Sequence, residues 1–573
     1  MMFKSACKNQ AISSYFKKIN LLFLSLIAFS SFIMLYHLGN NSLHTVDEAL
    51  YATISREMLI TGDWITPHLK GKPYFNKPPL KFWLTAVSFR FFGTSEWVVR
   101  FWSAASAVAC IIFTFLLAKQ LFGMKEALWS GFSLATCFHF IYEHCAKTGE
   151  MDAILLFFLV SSLYFLIRSE KNPRLLPISL FIMGLGSLTK NFAGFLPLGI
   201  GFLYLSVTGK WGKYSASEII RSVLLFLVIS SGWVIAMILL HRIAFVNEFF
   251  SHQVYERATS MKYFPGVGKA QSLAGGMFFI GKNILKGFYP WSLLLLPSLI
   301  WSFFQIPQWR KDSRILPVLW FVSFGIILLF LKNKLPWYVL PMYPALSILV
   351  GKFFGDAFSG SRISWKNMLS CVILFCGLFF LIPNHNYNPF VSKVKGSGVS
   401  LLILNPNFAF AFLSAGCSIV IWIFAARKSH RLANYSIVAL VSVYAAAFVI
   451  LPLRFASHKS EIQKLTTAIA QHTQTSKQTL YFWGIPRNAL IPPYPLWKPA
   501  KIARWYFNIM PNTKISFLYS KQEICRKLRV GKNCLFLMPR RYYRQIKFTC
   551  PHRVLTARRV RGNTYILVSP VGK

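Results

Sequence analysis

Long apolar segments recur along most of the chain, and short polar connections separate them. A helix needs about 20 predominantly apolar residues to cross a bilayer, and these segments are close to that length. The pattern predicts a mainly α, polytopic membrane helix bundle of about thirteen transmembrane helices over residues 1–455. The predicted spans are 21–38, 97–121, 127–142, 150–167, 174–190, 193–209, 219–241, 288–305, 315–331, 337–355, 366–382, 404–426 and 432–453.

Composition supports a membrane protein over a soluble enzyme, because 55% of the residues are hydrophobic and only 14% are charged. The 63 basic residues far outnumber the 17 acidic ones. This excess fits contact with anionic lipid headgroups or anionic substrates. Nucleic acid is a weaker explanation, because the cations are spread between apolar runs and no nucleic-acid-binding motif is present.

The distribution of charge predicts an orientation. With a cytoplasmic N-terminus, every inside loop is short and basic, as the positive-inside rule requires. Most of the scarce acids then lie on the outer face. An odd number of spans places the C-terminal segment on that face as well.

Residues 456–573 have a different pattern, in which short strand-like segments such as TLYFWGI, KISFLYS and TYILV flank a helix-like KQEICRKLRV. We predict a small extracytoplasmic α/β domain. It contains Cys525, Cys534 and Cys550 in a compartment that permits disulfides. Three cysteines leave one unpaired, and their spacing does not specify the pair.

One polar stretch stands out after the first span: VDEALYATISREMLITGDWITPHLKGKPYFNKPPLKFW, residues 46–83. Thr45 and Glu48 have the spacing of a capping box, which gives Glu48 a structural explanation. An apolar stripe on the same helix predicts an amphipathic juxtamembrane helix on the bilayer surface, with Asp47 facing water. The stripe consists of Leu50, Ile54 and Met58.

The end of this stretch has the form of a phosphate site. Pro78 and Pro79 suit the first positions of a helix, and they hold Asn76 and Lys77 extended just before it. A cation beside outward-pointing amides favours phosphate binding. Each residue also has a simpler explanation, since Lys77 could be a lysine reaching the interface and Asp47 a solvated acid at a helix start.

Together, DEALYATISREMLITGDWITPHL and YFNKPPLKFW resemble the first external loop of the polyprenyl-phosphate-sugar-dependent membrane glycosyltransferases. That family includes the lipid A aminoarabinose transferases and the protein O-mannosyltransferases. The resemblance implies a GT-C fold, with Asp47 as a catalytic acid at the reaction centre and Lys77 bound to the carrier phosphate. The lipid A enzymes usually have a glutamate where this chain has Asn76.

Further motifs extend the resemblance over roughly residues 20 to 355. AKTGEMDAILLFF supplies a second catalytic candidate, Asp152, and the loop NEFFSHQVYERATSMKYFPGVG supplies Arg257, which matches the family's carrier-phosphate arginine. LKNKLPWYVLPMYP and LTKNFAGFLP contain further cations and a tyrosine. Interfacial anchoring is the competing explanation for such residues at the ends of spans. The candidate sugar or phosphate contacts are Glu48, Tyr51, Lys190, Lys332, Lys334 and Tyr338.

We expect no metal requirement. The lipid A enzymes place His and Glu in the long loop as a possible metal site, but their His-Glu-His corresponds to His252-Gln253-Val254 here. If a metal were bound, His252 and Glu256 would be its candidate ligands.

The predicted function is transfer of a sugar, with 4-amino-4-deoxy-L-arabinose as the candidate, from a polyprenyl-phosphate carrier to lipid A or a related envelope acceptor. The reaction would occur on the outer face of a bacterial inner membrane, and the family implies inversion at the anomeric carbon. A protein O-mannosyltransferase-like enzyme acting on Ser or Thr is one alternative. A lipid flippase or transporter is another, although no pair of matching broken spans suggests inverted repeats.

Overall fold

The computed structural model describes residues 21–40, 43, 46–69, 71–256, 273–331, 334–357, 469, 479–483, 514–518, 520–530, 534–560 and 563–571. Helices dominate up to residue 357, and strands appear mainly after residue 479. The predicted spans 366–382, 404–426 and 432–453 lie outside the described residues.

The apolar runs fold as helices wherever the structure describes them. Six segments of this part are long and apolar enough to cross a membrane. Many of their apolar side chains remain exposed, for example Leu239 and Phe330, as expected for a surface that faces lipid. The helices are α1 (Leu21–Leu35), α2 (Val46–Thr61), α3 (Leu80–Phe92), α4 (Glu96–Leu121), α5 (Met124–Ala135), α6 (Phe138–Tyr142), α7 (Asp152–Ser169), α8 (Leu176–Lys190), α9 (Leu196–Thr208), α10 (Ala216–Val246), α11 (Leu273–Gly287), α12 (Leu295–Trp309), α13 (Leu316–Phe330) and α14 (Tyr343–Ala357).

Several expectations about these helices need correction. The segment 127–142 is not one span, because the chain breaks at Thr136–Cys137 between α5 and α6. Helix α11 was not predicted at all. The apolar stripe of α2 does not lie on a membrane surface, because Ile54 and Met58 are buried against Phe82 of α3.

Helix α7 occupies the centre of the bundle, where it packs against α4 and α8, and α10 covers the far side of α8. Between α8 and α9 the chain forms a short 3-10 turn, Asn191–Phe195. Gly194 in that turn lies directly against α8, since a Cβ atom there would lie 2.2 Å from the backbone nitrogen of Ser187. Only glycine permits so close an approach. This turn places Lys190 at one end of the bundle.

A small hairpin between α2 and α3 pairs β1 (His68–Leu69) with β2 (Lys72–Pro73). The C-terminal residues form a separate five-stranded sheet in the order β4-β3-β5-β7-β6, in which β3 runs parallel to β4 and β5 while β7 is antiparallel to β5 and β6. Its elements are β3 (Thr479–Trp483), β4 (Lys514–Leu518), α15 (Lys521–Val530), β5 (Cys534–Pro539), α16 (Arg540–Ile546), β6 (Arg553–Val560) and β7 (Asn563–Ser569).

The strands and the helix expected from TLYFWGI, KISFLYS, TYILV and KQEICRKLRV are therefore present. A disulfide joins Cys525 of α15 to Cys550, with their Cα atoms 5.2 Å apart. Cys534 is a buried free thiol on β5. The structure thus selects one of the pairings that the sequence left open.

Candidate active site

Four sequence motifs meet at one end of the helix bundle. They lie at the start of α2, in the segment 143–151 before α7, at the end of α8, and in the 3-10 helix Pro336–Met342. Hydrogen bonds, an ion pair and a ring stack connect them in space. Their convergence is the main structural evidence for a functional site.

A buried ion pair fixes the start of α2. Glu48 is fully buried, and its carboxylate accepts hydrogen bonds from Arg100 Nε at 2.6 Å and Nη2 at 3.3 Å. The backbone amide of Gly149 donates to the same carboxylate at 2.9 Å. Thr45, the capping partner predicted for Glu48, lies outside the described residues. Burial and these partners favour a structural role for Glu48 over the predicted sugar or phosphate contact.

Lys81 forms a second buried anchor beside this pair. Its ammonium donates to the carbonyl of Val99 at 2.9 Å and to Ser103 Oγ at 3.3 Å, which ties α3 to α4. Burial lowers the pKa of Lys81 to about 8, although the carboxylates of Glu150 and Glu48 favour its charged form. The sequence analysis missed Lys81 because nothing in the sequence pattern distinguishes it from an ordinary lysine at the start of a helix.

Two independently predicted residues form a direct ion pair. Asp152 is the first residue of α7 and is almost fully buried, and Lys190 is the last residue of α8. Their side chains meet at 2.6 Å between Lys190 Nζ and Asp152 Oδ1. The positive end of the α7 dipole also favours a carboxylate at this position. The pair joins two motifs that are 38 residues apart.

The predicted phosphate segment lies next to this pair. Asn191 follows Lys190, and its side-chain amide donates to the carbonyl of Asn76 at 3.5 Å. Helix α3 begins at Leu80 with Pro79 as its N-cap, so the two prolines precede the helix and do not open it as predicted, while Lys77 lies just before them. Lys77 is half-buried. The Asn76–Lys77 segment therefore contacts the turn that follows Lys190.

His144 lies among these motifs, and the sequence analysis did not single it out. Its imidazole stacks on the Trp337 ring, with centroids 3.7 Å apart and an interplanar angle of 10°. Its Nδ1 lies 3.8 Å from a carboxylate oxygen of Glu150. Burial lowers the pKa of His144, although the nearby carboxylates of Asp152 and Asp47 favour the charged imidazole. No sequence pattern marks this histidine, because the contacts that define it come from distant segments.

The remaining predicted residues have diverse surroundings. Asp47 is partly exposed, next to the buried Glu48. Tyr51 is buried, and its ring lies 5.6 Å from that of Phe82. Lys334 is buried and donates to the carbonyl of Leu331 at 2.5 Å. Tyr338 is half-buried in the same 3-10 helix as Trp337.

Some predicted site residues lie outside the described residues. These are Arg257, Lys332 and the side chains of His252 and Glu256.

Residues 76–235 match the model of a family described as dolichyl-phosphate-mannose-protein mannosyltransferase. An undecaprenyl phosphate-alpha-4-amino-4-deoxy-L-arabinose arabinosyl transferase of Pseudomonas fluorescens is 28% identical over 394 residues, which are 66% of this chain and 64% of that protein. A protein of Aquifex aeolicus is 29% identical over 325 residues, or 56% of this chain and 61% of its own length. The match thus covers less than two thirds of the length of either relative.

The fold agrees with these sequence matches. The crystal structure of ArnT from Cupriavidus metallidurans bound to undecaprenyl phosphate superimposes with a TM-score of 0.64 over 96% of this chain and 98% of that one, at 21% sequence identity. An identity this low identifies the architecture only. Taken with the sequence matches, it shows that the chain belongs to the GT-C family of membrane glycosyltransferases.

Proposed function

We propose that this protein transfers a sugar from a polyprenyl-phosphate carrier to an acceptor of the bacterial envelope. The contact between the Lys190 turn and the Asn76–Lys77 segment carries the proposal, because it brings two predicted phosphate-binding motifs together beside Asp152. We assign 4-amino-4-deoxy-L-arabinose as the sugar and a lipid A phosphate as the acceptor. The names of several relatives support the sugar and the undecaprenyl carrier.

The proposed reaction is a single displacement. The acceptor oxygen forms a bond to the anomeric carbon, and the bond from that carbon to the carrier phosphate breaks. The carrier phosphate leaves with the electron pair and therefore gains negative charge in the transition state. Cations in a water-poor site stabilise the transition state more strongly than the ground state, because the leaving phosphate carries more negative charge in the transition state. This difference is the condition for acceleration. Lys77 and Arg257 would have this role.

Asp47 and Asp152 would act at opposite sides of the transferred sugar. A phosphate acceptor is already nucleophilic, so Asp47 would orient it without taking a proton. A hydroxyl acceptor would need Asp47 as a general base. Asp152, neutralised by Lys190 in the absence of substrate, would be free to exchange that partner for a polar group of the sugar.

The decisive experiment uses purified protein with undecaprenyl-phosphate-linked 4-amino-4-deoxy-L-arabinose and lipid A. Mass spectrometry should detect lipid A that carries one added aminopentose, and Lys77→Ala should abolish most of the product. Lys72→Ala is the matched control, since Lys72 is an exposed lysine of the same loop and should leave activity unchanged. A glycosylated peptide formed from a mannosyl carrier, with lipid A unmodified, would support the O-mannosyltransferase alternative instead.

Two further parts of the proposal have their own tests. Movement of a labelled carrier lipid across proteoliposomes without any glycosylated product would identify a flippase. For orientation, we propose a cytoplasmic N-terminus in the inner membrane and residues 456–573 outside. A reporter that is active only outside the cytoplasm should be active after residue 455 and inactive within 427–431, and the reverse pattern would place the site on the wrong face.

A further inference from the structure

His144 lies in a backbone conformation that few residues other than glycine adopt. Its φ is +59°, in the left-handed region, which histidine, asparagine and aspartate enter more often than other side chains but still uncommonly. Such conformations persist only where the surrounding structure imposes them, and they concentrate at functional sites. The segment around His144 therefore needs a source of constraint.

Five contacts supply that constraint. Lys147 donates to the carbonyls of Ile33 and Tyr36 at the end of α1, at 2.9 and 2.6 Å. Gly149 donates to Glu48, as described above, and Ser103 Oγ donates to the carbonyl of Glu150 at 2.7 Å. On the other side of His144, Glu143 lies 2.6 Å from the buried His139 ring. The segment is held at both ends, so the position of His144 is fixed.

The His144 ring is held as firmly as its backbone. Trp337 covers one face of the imidazole. Within the described part of the chain, Nδ1 is buried without a hydrogen-bond partner, since the nearest carboxylate oxygen, on Glu150, is 3.8 Å away. A buried polar atom that lacks a partner is costly, and a functional role is one explanation for such an atom. Burial also favours the neutral ring, which can accept as well as donate a hydrogen bond.

We propose that His144 positions the transferred sugar by hydrogen bonding from its imidazole, with Trp337 as the backing that fixes the plane of the ring. Two described features link the His144 segment to the acids of the proposed reaction centre: Gly149 of this segment donates to Glu48, the neighbour of Asp47, and Asp152 begins α7 directly after the segment. A polar group of the sugar would complete the hydrogen bonding of His144 between them. This inference rests on the proposed function and adds a residue that contacts the sugar rather than the carrier phosphate.

The test compares binding of two ligands to the full-length protein in detergent: undecaprenyl phosphate and the same carrier with 4-amino-4-deoxy-L-arabinose attached. His144→Phe keeps the ring stack on Trp337 and removes both nitrogens. It should weaken binding of the sugar-linked carrier by about 3- to 10-fold, the effect of one neutral hydrogen bond, and leave binding of bare undecaprenyl phosphate unchanged. His144→Asn tolerates the left-handed backbone and retains a polar atom near Nδ1, so it should recover part of the loss.

His37→Phe is the matched control. His37 also has a left-handed backbone, with φ of +56°, and its ring contacts the aromatic ring of Tyr36. It should leave the binding of both ligands unchanged. If the His144→Phe protein binds the sugar-linked carrier as tightly as the native protein does, the inference is wrong while the proposed function stands. If the native protein binds neither carrier, both are wrong, and if it binds the sugar-linked carrier but never modifies lipid A, only the acceptor assignment fails.

Discussion

Replacing Glu48 with glutamine should destabilise the protein while leaving its chemistry intact. The substitution preserves size and a hydrogen-bond acceptor for Gly149, but it leaves the Arg100 guanidinium charged and buried without its counter-ion. Arg100 is 2% exposed and also donates a hydrogen bond to the carbonyl of Leu38 at 2.7 Å. Removing one partner from such a pair costs roughly 3–5 kcal/mol. We expect the lower end, because glutamine still accepts one hydrogen bond.

A double-mutant cycle tests whether the cost arises from the pair. Arg100→Met removes the other charge with little change in volume, so Glu48→Gln with Arg100→Met leaves no unpaired ion. Replacing both members of a buried pair is often nearly neutral. The double variant should therefore be at least about 2 kcal/mol more stable than the sum of the single effects predicts. Unfolding of the purified protein in mixed micelles, followed by intrinsic fluorescence, measures all four free energies.

Two results would refute this reasoning. Strictly additive effects would show that Glu48 and Arg100 do not depend on each other for stability. A Glu48→Gln protein of native stability that has lost turnover would show that Glu48 contacts the substrate, as the sequence analysis predicted. Sugar transfer, measured at a temperature where the Glu48→Gln protein remains folded, separates these two results.

Four other experiments test the site. Asp47→Asn should lower turnover by a factor of roughly 10² to 10⁴ if the acceptor needs a general base, with carrier binding unchanged; initial rates and a binding isotherm measure the two separately. Lys77→Ala should weaken undecaprenyl phosphate binding by roughly 1.5–3 kcal/mol, the value of a charge-assisted contact, which the same isotherm measures. Lys190→Met should destabilise the protein by leaving Asp152 buried and unpaired, and adding Asp152→Asn should recover part of the loss in an unfolding titration. Burial lowers the pKa of Lys81 in the folded state to about 8 from 10.5. Between these two pH values the unfolded state binds more protons than the folded state, so the free energy of unfolding should rise with pH across that window. Lys81→Met should remove this rise in unfolding curves recorded from pH 7.5 to 10.5.

Much of the site could be predicted from the sequence, because its residues lie in motifs with a local structural cause. Lys77 lies just before two prolines that directly precede α3, and Asp152 and Lys190 lie at the ends of apolar helices. Ends of apolar helices gather at the boundaries of a bundle, so charges placed there come together. This pattern explains why Asp152 and Lys190 lie close together, but the sequence did not predict that they form an ion pair.

The errors have a common physical origin, which is that burial depends on contacts distant in sequence. The sequence predicts that the α2 stripe lies on the membrane surface, yet it faces α3, because apolar periodicity shows that a face is buried and not what buries it. The sequence predicts one span over 127–142 because its apolar composition does not reveal the break at Thr136–Cys137. His144 depends on Trp337, almost two hundred residues away.

The adjacent acids of α2 show how one short motif can have two roles. Consecutive residues of an α-helix point about 100° apart, so Asp47 and Glu48 cannot face the same neighbours. Glu48 is turned inward to Arg100 and Gly149, while Asp47 remains partly exposed. The buried acid therefore fixes both the start of α2 and the 143–151 segment, and these two elements position Asp47 and His144 relative to each other. A chain in which the two acids exchange lengths, Asp47→Glu with Glu48→Asp, keeps every charge but shortens the carboxylate that reaches Arg100, so it should lose stability and turnover together.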